Sequence, residues 1–537
     1  MVSRGEDAGP DGAAAAPRPA RTLLPALGFA ALTFLLRIPF LRFPFAPQDE
    51  SYYAGVAQAT FEGRAIYADL GFIRPPALSF VYAVALKIAE ATGLPFDLTV
   101  RLMAALFAAA TVGVVAWLLF RFLKPLPAAA GSLLAALLSA SLILENEANS
   151  ETWLMLPYVA SAALVIWAVR TSADARRWRL SMVVAGALTA VAALFKEVAL
   201  VNLAVPLLAT LALAEGKRFG RAVTAALWFA GGVLGVVACV LLGLETSGQA
   251  ADFLYHTWYT RLNYVADTYA LADPFAVLGA HLLPIVKAFV VPLAAASTAA
   301  VAALMAGARE RSAERRLVVF SFGWLVVSAV GVAAGGRFYP HYFIQVTIPL
   351  VMLLASSLAA LGGPPRRLVR GGLAVALVLV ACAYPAWSWA EDVARAPAVQ
   401  KTRTAWRDLA GRADAATPPG GAMFVWGAYP IVRAYSHSAQ VTDEVWTYYS
   451  FGPPGSVRLL GESFPSVGDR ILADLEARPP DTVVLTAELG GYLPGSGTLA
   501  LSPPDDLRVQ ERLLEIIDED FAVVEQAERY IVLARER

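Results

Sequence analysis

The chain has 537 residues, is 58% hydrophobic and only 16% charged, and its 43 basic and 43 acidic side chains cancel. Such an apolar chain is no ordinary soluble enzyme, and zero net charge gives no sign of a nucleic-acid partner. Cys239 and Cys382 both fall inside apolar runs, which argues against a disulfide framework and against a thiolate metal site.

Residues 1–20, rich in Ala, Pro and Gly, read as a disordered cytoplasmic tail. No cleavable signal pattern follows, and the apolar run Leu23 to Leu41 is long enough for an uncleaved signal anchor. Basic residues then cluster at six places: Arg4, Arg18 and Arg21; Arg121 and Lys124; Arg170 to Arg179; Lys217 to Arg221; Arg309 to Arg316; Arg366 to Arg370. Cytoplasmic loops carry such excesses, so all six are placed inside, separated by even numbers of crossings. That bookkeeping makes the weak run 77–92, which is short and contains Lys87 and Glu90, a re-entrant or interfacial helix. The remaining runs predict spans near 23–41, 101–120, 129–145, 152–169, 181–195, 197–214, 222–244, 276–305, 317–335, 342–361 and 371–389. The fold class is therefore mainly α: a polytopic transmembrane bundle of about eleven spans, with juxtamembrane helices outside.

Residues 21–390 form the expected membrane domain, with long external loops at 43–100 and 245–275. The tail 391–537 changes character, with turn signals at Pro418-Pro419-Gly420 and Pro453-Pro454-Gly455. Strands are predicted at Ala422–Trp426, Thr482–Thr486, Phe521–Val524 and Tyr530–Leu533, and helices at Ala398–Ala413 and Ser466–Ala477. This reads as a small extracytoplasmic α/β domain.

In this topology the out-of-place polar residues all fall on the outer side. They are Asp49, Glu50, Arg74, the Glu145–Glu151 run, Lys196, Glu197, His256, Tyr259, Arg261, Tyr264, Arg337, Tyr339, His341 and Tyr342. Ionisable groups near hydrocarbon are costly and usually functional, so their convergence predicts one polar cavity at the outer surface. Each also has a plainer reading. Asp49 suits a helix N-cap, Glu145 and Glu147 suit a solvated loop, and Lys196-Glu197 suits an ion pair at a helix junction. The residues around His256 suit an interfacial aromatic belt, while His281 and His437 stand alone and read as structural.

The stretch Asp49-Glu50-Ser51-Tyr52-Tyr53, with Gly63, Tyr67, Asp69 and then Arg74-Pro75-Pro76, resembles the first external loop of the GT-C superfamily of membrane glycosyltransferases. The branch it resembles is family 39, which includes protein O-mannosyltransferases and the lipid A aminoarabinose transferase. The run 145–151, Phe195-Lys196 and Gly335-Gly336-Arg337-Phe338-Tyr339-Pro340-His341-Tyr342 agree with it in order. The resemblance covers residues 20–390 and extends loosely to the tail. It implies a polyprenyl-phosphate-sugar donor, an external protein, lipid or glycan acceptor, inversion, Asp49 as base and Arg74 at the donor phosphate. Some bacterial members hold a metal through an acidic residue just before the basic one; here that position is Ile73.

The chemistry fits these residues. An alcohol acceptor needs a base, and one carboxylate suffices for inversion. Neighbours on a helix point apart, so Asp49 is assigned as base and Glu50 as an orienting or acceptor-binding group. Arg74, Lys196, Arg261 and Arg337 are candidates to bind the donor phosphate as charge grows on it. Tyr53, Glu147, Glu151, His256, His341 and Tyr342 are the candidate substrate contacts. The sequence establishes no cofactor, and Glu50, Glu147 or His256 are candidates to hold a divalent cation. Two other classes compete: a transporter or flippase, disfavoured by the lack of internal repeats and of midplane charges, and a membrane-anchored sensor, which needs far fewer spans. The Ala-rich composition and absence of sorting motifs point to a bacterial plasma membrane.

Overall fold

The computed structural model describes residues 20–142, 147–172, 174–214, 218–259, 274–305, 313–334, 336, 338–361, 367–427, 430–442, 457–459, 462–464, 467–486, 507–527 and 530–536. The expected tail, apart from residue 20, lies outside them.

Helices appear wherever apolar runs are long. In chain order they are α1 (Ala20–Arg37), α2 (Asp49–Phe61), α3 (Ala77–Thr92), α4 (Phe96–Phe122), α5 (Pro125–Ala140), α6 (Ser150–Thr171) and α7 (Ala175–Ala193). A 3-10 segment, Glu197–Ala204, leads into α8 (Val205–Leu213), followed by α9 (Arg218–Thr246) and α10 (Ala250–Phe253). Then come α11 (Pro274–Met305), α12 (Ala313–Ala333), α13 (Ile344–Leu361) and α14 (Arg367–Ala416). Each run expected to span coincides with a helix. Eight of them are long and apolar enough to cross a bilayer: α1, α4, α6, α9, α11, α12, α13 and α14. The segments 125–140 and 197–213 are shorter apolar helices, and α7 opens with Arg176, Arg177 and Arg179. The chain is a multi-pass membrane protein.

Small residues let these helices approach closely. A Cβ on Gly186 of α7 would meet the Phe229 carbonyl oxygen of α9 at 1.9 Å, and one on Gly232 would meet that of Val183 at 2.0 Å. Both obstacles are backbone, so neither side can yield. Gly186→Ala is expected to lower the thermal midpoint of the purified protein, the cost being about 1–3 kcal/mol or more of overpacking. Gly231→Ala, where a Cβ meets nothing within 4 Å, is the neutral control. One polar cluster inside the bundle is fully knit together. The Trp324 indole donates to Tyr158 Oη and Asn202 Oδ1, both at 3.2 Å, and Asn202 Nδ2 donates to the Tyr158 carbonyl at 2.9 Å.

Between α1 and α4 the chain makes two non-spanning helices, as the sequence pattern predicts. Helix α3 buries Leu78, Tyr82, Ala85 and Ala89 and leaves Phe80 and Lys87 exposed, the two-faced pattern of a helix lying along a surface.

Beyond the bundle lies a five-stranded sheet of order β2-β1-β5-β7-β6. Its strands are β1 (Ala422–Gly427), β2 (Ala439–Gln440), β5 (Thr482–Thr486), β6 (Phe521–Ala527) and β7 (Tyr530–Arg535). Strands β2, β1 and β5 run parallel, and β7 and β6 are antiparallel additions. A separate hairpin joins β3 (Val457–Leu459) to β4 (Glu462–Phe464), and the sheet is flanked by α15 (Ile431–Tyr435), α16 (Val467–Ala477) and α17 (Leu507–Asp520). All four expected strands are present. The expected helix Ala398–Ala413 is not separate, because α14 runs unbroken for 50 residues through Pro385 and Pro397. At about 1.5 Å per residue that is about 75 Å, more than twice the hydrocarbon thickness, so α14 both spans and projects. Loss of hydropathy after residue 389 marks where it leaves the apolar zone, not where the helix ends.

Candidate active site

The site begins at the first turn of α2. Asp49 is the first helical residue, half-buried, with Gln48 in the capping position, so it is not the N-cap. A carboxylate there gains from the helix dipole. Asp49 accepts no hydrogen bond among the described residues. Its neighbour Glu50 turns inward and is fully buried. Arg101 donates to Glu50 Oε1 at 2.6 Å and Oε2 at 2.5 Å, and the Ala148 and Ala46 amides donate to the same two oxygens at 2.8 Å. Those four bonds saturate the carboxylate, so Glu50 orients the start of α2 and has no lone pair directed at an acceptor.

Glu147 is held in the same network. Arg101 lies 2.8 Å from it, and Arg403 of α14 reaches its two oxygens at 2.5 and 2.7 Å. Burial opposes its charge, but Arg403 and Arg101 prevail and pull its pKa down to about 2. Arg37 adds a 2.8 Å bond to the Glu147 carbonyl. Glu147 is thus placed in an ion-pair chain and not as an open substrate contact.

Arg74 lies on the loop between α2 and α3. The Tyr67 hydroxyl donates to its carbonyl at 3.0 Å, the Ile73 amide donates to the Tyr52 hydroxyl at 3.3 Å, and the Tyr52 and Phe72 rings lie 5.5 Å apart. The Ala77 amide bonds the Leu194 carbonyl at 3.0 Å, which sets this loop beside Lys196. The Arg74 side chain is 8% exposed, and its Nε and Nη1 have no hydrogen-bond partner among the described residues. Burial works against its charge, yet Tyr53, Asp49, Tyr342 and Glu197 together raise its pKa. Tyr53 stays a neutral phenol, its pKa raised by burial and then by Asp49.

Lys196 sits where α7 breaks, with extended backbone before the 3-10 turn. Its ammonium pairs with Glu151 and lies 3.8 Å from the Tyr342 ring centroid. Ser150 Oγ donates to Glu151 at 2.9 Å. His341 stacks on Tyr339 at 5.6 Å and meets Tyr342 edge-on at 5.0 Å. Asp49, Tyr53, Arg74, Glu151, Lys196, His341 and Tyr342 are thereby brought into one electrostatic neighbourhood.

The second long loop packs against the first. Gln249 Oε1 accepts from the Tyr67 amide at 3.2 Å, and the Phe253 and Tyr67 rings are 5.1 Å apart. His256 follows in a π-turn, Leu254–Tyr259, buried against Tyr255. Burial and then Arg470 push its pKa down to about 3, so it is neutral at pH 7. Its contribution to stability is complete above the unfolded value of about 6.5 and is lost as pH falls toward 3. The thermal midpoint should therefore drop below pH 6.5, and His256→Gln should flatten that part of the profile. Arg261, Arg337, Glu145 and Asn146 lie outside the described residues. Phe338, next to Arg337, has φ 48°, a left-handed conformation that costs a non-glycine residue about 1–2 kcal/mol.

Sequence reasoning passed over Arg101, Arg403, Asp97 and Tyr435. Arg101 was visible as a charge at the edge of an apolar run. The Tyr435 hydroxyl donates to Asp97 Oδ2 at 2.9 Å and accepts from the Phe45 amide at 3.0 Å, seating the C-terminal sheet region on the site; no sequence spacing links those residues. Among the described residues no three His, Cys, Asp or Glu side chains gather as a metal-holding group.

A many-helix membrane bundle, two non-spanning helices after the first span, and a small C-terminal sheet together agree with the GT-C fold. Among solved structures the chain is similar to ArnT from Cupriavidus metallidurans bound to undecaprenyl phosphate, with 16% identity, a TM-score of 0.57 and coverage of 95% of this chain and 97% of that one. It is also similar to the oligosaccharyltransferase AglB from Archaeoglobus fulgidus in complex with an inhibitory peptide and a dolichol-phosphate, with 14% identity, a TM-score of 0.51 and coverage of 86% and 69%. No protein-family model matches the chain. No curated protein matches it in sequence.

Proposed function

We propose that the protein transfers a sugar from a polyprenyl-phosphate carrier to an extracytoplasmic acceptor, with inversion and with Asp49 as general base. The observation that carries this reading is a half-buried carboxylate that accepts no described hydrogen bond, acting electrostatically on a buried guanidinium whose Nε and Nη1 have no partner among the described residues, in a chain of GT-C fold. Asp49 takes the acceptor hydroxyl proton as the oxygen attacks the anomeric carbon. Arg74 stabilises the charge that grows on the departing lipid phosphate, with its planar fork directed at the phosphate oxygens. Lys196 is held by Glu151 and acts as a second, more distant positive charge. Lipid phosphates bound to the two structurally similar proteins support a carrier of this type. The reading places the chain in a plasma membrane with its N-terminus in the cytoplasm and the sheet region outside.

The test is mass spectrometry of lipid-linked sugars. A strain lacking the gene should accumulate one polyprenyl-phosphate sugar, and the wild-type gene should clear it. Unchanged lipid-linked sugars on deletion count against the reading. Arg74→Ala should weaken binding of polyprenyl phosphate by the purified protein at least tenfold, and Arg74→Lys, which keeps charge but loses the fork, should recover part of it. Wild-type affinity in Arg74→Ala removes the phosphate-binding assignment.

A further inference from the structure

A cleft of about 610 Å³ lies between the far half of α2, helix α3 and the C-terminal sheet region. Gln58 lines it and stands nine residues after Asp49; at ~100° per residue it faces the opposite side of α2. The two sites are therefore separated by the helix itself.

The walls are polar. Arg64, Arg433 and Arg478 face Glu62 and Glu90, so guanidiniums outnumber carboxylates. Apolar surface is confined to Ala59, Phe61 and Leu86 with small neighbours, too little for a lipid tail. The wall from the sheet region is fixed in advance. Asp414, at the end of α14, accepts from the Ser436 and Ser438 hydroxyls at 2.6 Å and from the His437 and Ser438 amides at 3.0 and 3.1 Å. The Arg433 guanidinium, nearly buried, is anchored on the Thr442 carbonyl at 2.5 Å. Gln58 Nε2 donates to the Ala434 carbonyl at 2.9 Å and joins the two walls. A turn tied by that many bonds loses little entropy when a ligand docks.

We propose that this cleft binds an anionic saccharide, with carboxylate or phosphate groups on Arg64 and Arg478 and hydroxyls on the Gln58, Ser436 and Gln440 edge. Its volume falls within the ~300–1,000 Å³ of small-ligand sites, enough for a short oligosaccharide. Guanidiniums on both walls match planar anions, and the interspersed carboxylates and amides match sugar hydroxyls. A ligand held here is docked and not reacted, since Asp49 faces away. The site does not depend on the catalytic reading and is tested without donor.

The experiment is calorimetric titration of the full-length protein in detergent with trigalacturonic acid, against neutral maltotriose. Trigalacturonate should bind saturably and at least tenfold more tightly than maltotriose. Arg64→Ala/Arg478→Ala should weaken it at least tenfold, with a cooperative melting transition showing that the double variant is folded. Arg478→Ala alone should give a smaller loss in the same direction. No saturable binding, equal affinity for the neutral trimer, or full affinity in the double variant overturns the proposal. Adding a glucuronosyl glycolipid to nanodiscs holding the protein identifies the source. Competition with trigalacturonate assigns the cleft to a lipid headgroup, and unaltered trigalacturonate affinity assigns it to a free glycan.

Discussion

If the proposed reaction holds, Asp49→Asn should lower the rate of sugar transfer by about 10²–10⁴-fold, the range for removing a positioned general base, or about 2.7–5.4 kcal/mol of barrier. The substitution is nearly isosteric. Because Asp49 accepts no hydrogen bond among the described residues, the change leaves no described donor without an acceptor. The variant should therefore keep the wild-type thermal midpoint and bind polyprenyl phosphate as before. The loss should fall on kcat, because the carboxylate acts on a proton in flight and not on ground-state binding. Glu50→Gln makes the contrast. It alters the adjacent residue by the same chemistry, but Glu50 holds Arg101 and two amides, so the damage should appear first in stability. A purified Asp49→Asn protein that transfers sugar at the wild-type rate removes Asp49 from the reaction, whatever the stability data say.

The bundle was legible because long apolar runs admit few alternatives in a bilayer, where every backbone polar group must be satisfied within the segment. Each run expected to span coincides with a helix, and the short run 77–92, set aside because of Lys87 and Glu90, is the surface helix α3. The strands were legible from β-branched and aromatic runs between turns. The unbroken α14 was not: Pro385 and Pro397 and the drop in hydropathy after residue 389 suggest an end, but the backbone continues through both prolines. In the site, the sequence could nominate polar residues near membrane boundaries but could not pair them. Lys196 was a candidate for the donor phosphate, with a pair to its neighbour Glu197 as the plainer reading, and its ammonium is bonded to Glu151, 45 positions away. Glu50 was read as an orienting or acceptor-binding group and Glu147 as a substrate contact or a solvated loop carboxylate, and both are taken by Arg101, whose own place at the start of an apolar run passed as a span boundary. Long-range ion pairs leave no local periodicity, so only the fold discloses which charges are spoken for.

Arg101 is where that distinction has its largest structural consequence. It is 4% exposed and bridges Glu50 of α2 to Glu147, which Arg403 of α14 grips from the far side. Arg101→Met removes the cation but leaves two buried carboxylates, so it should cost about 3–5 kcal/mol, far more than a surface pair. Arg403→Ala should cost less, since Glu147 keeps Arg101. Pairing Arg101→Met with Glu50→Gln should recover stability, because the uncompensated charge beside Asp49 is then gone; such recovery separates charge burial from lost packing. Acid adds a further check on sign. The Glu147 pKa is depressed, so its contribution is complete above the unfolded value of about 4.5 and fades as pH falls through about 2. Without Arg101 that carboxylate loses a partner and takes up its proton at higher pH, and the variant's acid limb should move upward. Thermal unfolding across pH 2–7 measures both effects. An Arg101→Met protein as stable as wild type at neutral pH means that the four-charge chain does not hold α2, and the start of the helix bearing Asp49 must be fixed by the Phe45, Tyr82 and Tyr435 packing and the Ala46 and Ala148 amide bonds to Glu50.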